Sequence, residues 1–285
     1  MATDLKASST DLQNTAAFNV NKFDLSFSPI VDMQNGRLVA LEAFARQQDR
    51  DYAFSHPVIT QVRNSKPKLA QIFIDSAIAK VFAGMEALHK QNEYTPIFLS
   101  LHTQDINREL IDTLQACALQ SEVPLSCLVI GICLPQNGRI SPEKMRQIQT
   151  LKRSGVALSV QHSEMNKIPE ASPEFIPLDL IKLNQSVLIA DAAAGHHLTL
   201  SKSLNDWSKS GCYVVFDGIN DAAAWQAVAS LGNHFAQGAL VSPPLLSNQL
   251  SEWRRRWPLV SSALGCQQTN KVKQNTSTIK KHRRA

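Results

Sequence analysis

An α/β fold, with parallel strands inside and helices packed around them, is what this sequence predicts, and three observations predict it. Apolar runs of strand length alternate with helical patterns from Lys68 to Leu231. That order yields parallel pairing, with the strand ends gathered on one face. The chain has 285 residues and 44% hydrophobic content, long for an ordinary domain but normal for a single barrel of about 250 residues. Near its start, Asn35-Gly36 joins two apolar runs. Both residues tolerate positive φ, which makes this pair the strongest short-range signal for a hairpin.

Residues 1–20 are rich in Ser, Thr, Asp, Asn and Ala and are expected to form a mobile leader. The hairpin follows, with strands at Phe27–Asp32 and Leu38–Glu42. Glu42 is thereby delivered to a strand end, where barrel enzymes keep their chemistry, and Arg46 follows four residues on. Beyond a connecting region punctuated by Pro57 and Pro67, Ile74, Ile78, Val81, Met85 and Leu88 recur at helical spacing between Lys68 and Gln91. Opposite them stand Gln71, Asp75, Lys80 and Glu86, which makes the helix amphipathic. Ile97–Leu101 is a strand leading to a helical pattern that reaches about Leu119, and Leu128–Leu134 is the next strand. Ser141-Pro142-Glu143 opens a helix by capping its first turn, and Gly155 closes it. Val156–Val160, Leu180–Leu183 and Val214–Phe216 continue the strands. Helices over Leu198–Ser210 and Asp221–Leu231 end at Gly211 and Gly232.

Charge is informative once divided. Lys and Arg total 29 against 24 Asp and Glu, a net of +5. Residues 271–285 hold Lys271, Lys273, Lys280, Lys281, Arg283 and Arg284 with no acid, so the remainder of the chain is slightly acidic. The isoelectric point near 9.0 therefore belongs to a tail. Cys117, Cys127, Cys133, Cys212 and Cys266 form no CxxC pair. With no secretory signal at the start, they read as reduced thiols in a cytoplasmic protein. No apolar run approaches the roughly 18 residues of a membrane span.

Four segments then carry a resemblance, in order and at matching spacing. They are Phe27-Ser28-Pro29-Ile30-Val31-Asp32; Glu42-Ala43-Phe44 with Arg46; Ile176-Pro177-Leu178-Asp179-Leu180-Ile181-Lys182-Leu183; and Gln237-Gly238 before Pro244. Together they resemble the EAL domains that hydrolyse cyclic di-GMP in bacteria. The resemblance implies a modified (β/α)8 barrel of the TIM type whose first strand runs antiparallel to the others. It places the barrel over residues 21–258, followed by a basic, disordered tail over 259–285.

In the family's enzymes, the resemblance implies, two divalent ions sit on carboxylates and an asparagine at successive strand ends. Each such ion requires about six hard oxygen donors. At the matching positions this chain has Ser100 for the asparagine. Gly131-Ile132-Cys133-Leu134 stands for a segment with two glutamates, and Gln161-His162-Ser163-Glu164 for one opening on paired aspartates. Asn184 replaces an aspartate, and Asp217-Gly218-Ile219-Asn220 replaces a segment with two glutamates. Glu42, Arg46, Lys182, Asp217 and Gln237 survive. The expectation is a degenerate domain with no catalytic residues, no metal and no cofactor, in which Glu42 and Asp217 are remnant acids. Lys182 either pairs with one of them or serves a ligand.

The expected function is regulation through a protein partner in bacterial signalling, touching transcription, motility or adhesion. The alternative is a cyclic di-GMP receptor that binds without hydrolysis through Arg46, Gln237, Ser28 and Lys182, a guanidinium being suited to phosphate. Nucleic acid is a further expected contact of the basic tail, and family members often dimerise. No membrane partner is expected. His102, His162 and the His196-His197 pair lack a metal-binding spacing on one helical face. Cys133 reads as a packed thiol. In Trp253-Arg254-Arg255-Arg256-Trp257 the tryptophans are expected to dock while the arginines stay solvated.

Overall fold

The computed structural model of the chain describes residues 23–47, 67–91, 93–134, 140–162, 178–186 and 197–267. The expected leader and most of the expected tail lie outside these residues.

Strands β1 (Phe23–Asp32) and β2 (Leu38–Gln47) form the hairpin. Asp32 builds its turn by accepting the Gln34 amide at 2.8 Å and the Asn35 side-chain amide at 3.0 Å. Gly36 has φ of 70°, and a Cβ there would lie 2.8 Å from the Ser261 side chain, so only glycine fits the turn. β2 runs five residues and β1 four residues beyond the expected strands, because Ala43–Gln47 continues against Phe23–Phe27. Glu42 therefore lies within β2 rather than at its end.

Helix α1 (Pro67–His89), β3 (Ile97–His102), α2 (Arg108–Ser121) and β4 (Leu128–Cys133) follow. Next come α3 (Pro142–Arg153), β5 (Ala157–His162), β6 (Leu180–Asn184), α4 (His197–Lys209), β7 (Tyr213–Asp217) and α5 (Ala222–Ala229). β8 (Phe235–Ala236), β9 (Leu245–Leu246) and α6 (Leu250–Ala263) complete the chain. Asn107, Ser141 and Asp221 each cap a helix start by accepting an amide three residues on. The sheet runs β2-β3-β4-β5-β6-β7-β8-β1, closed by β1 against β2, and β9 adds to β1. Strands joined through helices pair in parallel, whereas the tight turn forces β1 to run against its neighbours. This is the expected eight-stranded barrel with an antiparallel first strand.

Strand alternation divides the core in two. Ile30, Ala40, Phe98, Val129, Ala157, Leu180, Val215 and Phe235, one residue from each of the eight barrel strands, plug the lumen. Leu41, Leu99, Ile130, Leu158, Ile181 and Phe216 face outward into the layer beneath the helices. β8 and β9 escaped the sequence reading because two residues carry no period.

Helix α6 continues past the expected barrel limit at residue 258. Pro258 lies inside it, and the chain stays packed as far as Cys266, which is 6% exposed. Trp257 is buried and donates its indole N–H to the Gly36 carbonyl at 2.6 Å. Trp253 is half-buried and donates to the Val241 carbonyl. Arg255 and Arg256 are exposed, as expected, but Arg254 is half-buried and pairs with Glu93.

Candidate functional site

One turn of strand above the lumen plug, the inward positions become polar. β2 brings Glu42, β3 brings Ser100, β6 brings Lys182, β7 brings Asp217, and the residue after β8 is Gln237. Strand alternation aims all of them inward, as it does their apolar neighbours two residues earlier. Lys182 Nζ donates to Glu42 Oε2 at 2.5 Å and lies 3.2 Å from Asp217 Oδ2. Gln237 Nε2 donates to the same Glu42 oxygen at 2.8 Å, and Ser100 Oγ donates to Glu42 Oε1 at 3.1 Å. Asp217 Oδ1 accepts the Gly218 amide at 2.8 Å. Lys182 is thus paired with both acids at once.

Glu42 and Lys182 are each 1% exposed. Burial pushes the Lys182 amine down, and the Glu42 and Asp217 carboxylates more than offset it, so its pKa stands above the usual lysine range. The ammonium also lies 5.8 Å from the centre of the Phe98 ring. Ser28 pairs with Glu42 in the hairpin register, and Ser28 and Ser159 are buried. Gln237 Oε1 is buried without a hydrogen-bond partner among the described residues.

The other expected positions fall around this cluster rather than in it. Arg46 shares the strand parity of Glu42 but stands four residues further along β2, about 13 Å towards the mouth. It is half-buried opposite Asp24 in the register. Asn184 turns its carbonyl oxygen to the Ser186 amide at 2.9 Å. Asn220 accepts the Ala239 amide at 3.1 Å. Cys133 ends β4 half-buried, more open than a packed thiol, and its carbonyl accepts the Thr103 hydroxyl at 2.8 Å. Leu134 is half-buried just beyond it. Gln161 and His162 end β5, while Ser163 and Glu164 lie outside the described residues.

Phe98 was missed as a site residue. A Cβ built on Gly131 would lie 2.3 Å from its ring and 3.1 Å from Ser100 Oγ. The ring fills the space above Gly131, so position 131 takes no side chain while Phe98 keeps its place. The signal was the two-residue period that sets Phe98 and Ser100 on one face of β3. Lys144, also missed, reaches from α3 to donate to the Ile106 carbonyl at 2.5 Å and fixes the segment after β3. Burial lowers its pKa, against the neighbouring Glu143 and Asp105. Among the described residues no group of His, Cys, Asp and Glu is arranged to hold a metal ion, and no helix is long and apolar enough to cross a membrane.

A barrel with one reversed strand and this inward cluster defines a class, and comparison with known proteins gives its family. The EAL domain model matches residues 11–244, and the chain belongs to that family. A cyclic di-GMP phosphodiesterase of Pseudomonas aeruginosa is 21% identical over 236 residues. The match covers 82% of this chain but only 40% of that relative. Among solved structures, the PaMucR phosphodiesterase in complex with cyclic di-GMP superposes with a TM-score of 0.68 at 17% identity, covering 85% of this chain and 98% of its own. The FimX EAL domain of Xanthomonas citri, also with cyclic di-GMP, gives 0.68 at 14%, with coverage of 84% and 93%. An EAL domain protein of Listeria monocytogenes gives 0.66 at 16%, with 90% and 99%. At these identities the likeness to the solved structures is one of fold.

Proposed function

We propose that this chain is a catalytically inactive EAL protein that regulates through a protein partner in bacterial signalling. The observation carrying this reading is the position of Lys182 Nζ between Glu42 and Asp217, at 2.5 and 3.2 Å. A pair of divalent ions needs several free hard oxygens, and close cations repel unless acids neutralise them. Here one oxygen of each acid is held by an ammonium, and Gly131 and Ser100 bring no charge. The residues present do not fit two such ions. A lysine that is the local cation balances the two acids without metal, which keeps the barrel closed and its outer surfaces free for another role.

The test is hydrolysis of cyclic di-GMP by purified protein with magnesium or manganese. The expected result is no turnover. Turnover abolished by Glu42→Ala overturns the reading.

A second reading, a receptor that binds cyclic di-GMP without hydrolysing it, is favoured by two features. Arg46 shares the inward parity of Glu42 towards the mouth, and the Gln237 Oε1 acceptor has no partner among the described residues. Calorimetric titration of the nucleotide with magnesium and with chelator separates the two. Binding that persists in chelator and is lost in Arg46→Ala selects the receptor. Absence of heat up to high-micromolar nucleotide leaves the protein-partner reading.

A further inference from the structure

The mouth of the barrel holds a thiol and an imidazole that the Lys182 cluster does not use. β3 turns Phe98, Ser100 and His102 to the interior, and β4 turns Val129, Gly131 and Cys133 the same way. The parallel register pairs Ser100 with Gly131 and, two residues further towards the mouth, His102 with Cys133. Neighbouring strands stand about 4.8 Å apart, so the two side chains start side by side on one face. Both residues are half-buried and thus partly open to solvent.

Local hydrogen bonds fix the pair. The Thr103 hydroxyl, next to His102, donates to the Cys133 carbonyl at 2.8 Å and ties the end of β3 to the end of β4. His102 keeps extended backbone, with φ of −78° and ψ of 147°, so the alternation of β3 runs through to it. The Asp105 carboxylate accepts the His102 amide at 3.1 Å, and the Gln104 amide donates to His102 Nδ1 at 3.2 Å. A ring nitrogen that accepts from an amide carries no proton, so the imidazole proton sits on Nε2 and the ring is a donor. That tautomer leaves Nε2 without a free lone pair for a metal ion.

The other cysteines are placed differently. Cys212 and Cys266 are buried, and burial pushes both thiols up, Cys212 to about 12. Burial, helped by Asp75, also raises the Cys117 thiol. Cys127 precedes β4 at its other end, about 20 Å from Cys133 along the strand.

We infer that Cys133 is a thiol-modification site whose substrates are low-molecular-weight disulfides, with the His102 imidazole donating its Nε2 proton to the sulfur. An imidazole beside a cysteine favours the thiolate, which is the nucleophile. Cys133 Sγ attacks one sulfur of the small disulfide, and a new S–S bond forms as the old one breaks. The departing thiolate leaves with the electron pair and takes a proton from solvent. Cys133 is thereby oxidised and the small disulfide reduced, and an external thiol reverses the step. The register continues from Cys133 through Gln161 to Lys182, so the adduct borders the entrance to the polar cluster. Access to the barrel interior then follows the redox state of the surroundings.

The experiment treats the full chain with excess dithiobis(nitrobenzoate) as the disulfide probe and follows release of its coloured thiolate. The parent chain is expected to show a fast phase of one equivalent, followed by slow reaction of the remaining thiols. Cys133→Ser removes the fast phase. His102→Ala slows it about tenfold through the lost hydrogen bond to the thiolate, and His102→Gln, which keeps a side-chain N–H donor, recovers much of the rate. Unfolding would expose thiols and speed the reaction, so neither loss can be mimicked by a variant that fails to fold. The reaction involves no nucleotide, which makes its outcome independent of the hydrolysis and titration tests. The inference is overturned by absence of a fast phase, by a fast phase that survives Cys133→Ser, or by a rate indifferent to His102→Ala. His102→Gln as slow as His102→Ala overturns the donor role.

Discussion

Lys182 Nζ and Glu42 Oε2 meet at 2.5 Å across the barrel lumen, although 140 residues separate them in the chain. The contact joins β2 to β6 through the interior, where neither strand neighbours the other in the sheet. Both groups are almost fully buried, so the charge on each depends on the other. Removing the amine in Lys182→Met leaves Glu42 and Asp217 beside each other without a cation. The expected cost is about 3–5 kcal/mol in urea unfolding. Adding Glu42→Gln is expected to recover much of that loss, because the amide carries no charge, its one oxygen can accept from Gln237 and its NH2 can donate to the Ser100 hydroxyl. A double mutant no more stable than Lys182→Met would show that the amine acts by packing rather than by charge.

Phe98 and Gly131 form a second coupled pair. Gly131→Ala places a methyl carbon 2.3 Å from the ring of Phe98, which is fully buried as part of the lumen plug. Overpacking of this kind costs about 1–3 kcal/mol. Phe98→Leu in the same background is expected to relieve most of it, read as a recovered unfolding midpoint. Gly131→Glu, which returns an acid to this strand, is expected to fold poorly and to gain no hydrolysis, since the ring occupies the space the carboxylate would need.

The barrel was legible in the sequence because the strand runs, the Asn35-Gly36 turn and the spaced motifs agree with one another. The acids Glu42 and Asp217 and their link to Lys182 were legible for the same reason. Phe98 was not, since a phenylalanine on a strand reads as ordinary core, and only the closed barrel shows that its ring stands over Gly131. Helix α6 beyond residue 258 was masked by Pro258, a residue that normally ends a helix. Here the packing of Trp257 and Ser261 on the Gly36 turn outweighs the lost backbone bond. β8 and β9, two residues each, exist only as partners of β1 and β7.

Stability is expected to respond to pH on both flanks. Burial lowers the pKa of His234, and a hydrogen bond to the Leu231 backbone only partly opposes it. The unfolded chain therefore takes up this proton before the folded chain does. Stability falls as pH drops below the ordinary histidine value of 6.5. Lys182 has the opposite sign, its pKa being raised. Its contribution is complete below the ordinary lysine value of 10.5 and is lost as pH climbs through the folded value above it. Thermal unfolding between pH 5 and pH 9 (chosen to lie below the lysine range) should slope on the acid side, with the slope reduced in His234→Gln. A slope of unchanged size in that variant would assign it to other groups.

Trp257 holds the far end of the barrel together, and its two contributions are separable. The indole N–H bond to the Gly36 carbonyl is 2.6 Å long, and the ring packs edge-on to Trp225 and stacks on Trp253 at 5.8 Å. Trp257→Phe keeps a ring in the same pocket and leaves the turn carbonyl unpaired, with an expected loss of about 1–3 kcal/mol. Trp257→Ala also opens a cavity under α6, for an expected loss of about 3–5 kcal/mol. Because Trp257 fixes α6 across the β1–β2 turn, the alanine variant is expected to expose α6 to protease while the phenylalanine variant resists. Equal cleavage of the two would mean that the hydrogen bond, rather than the packed ring, fixes the helix on the turn.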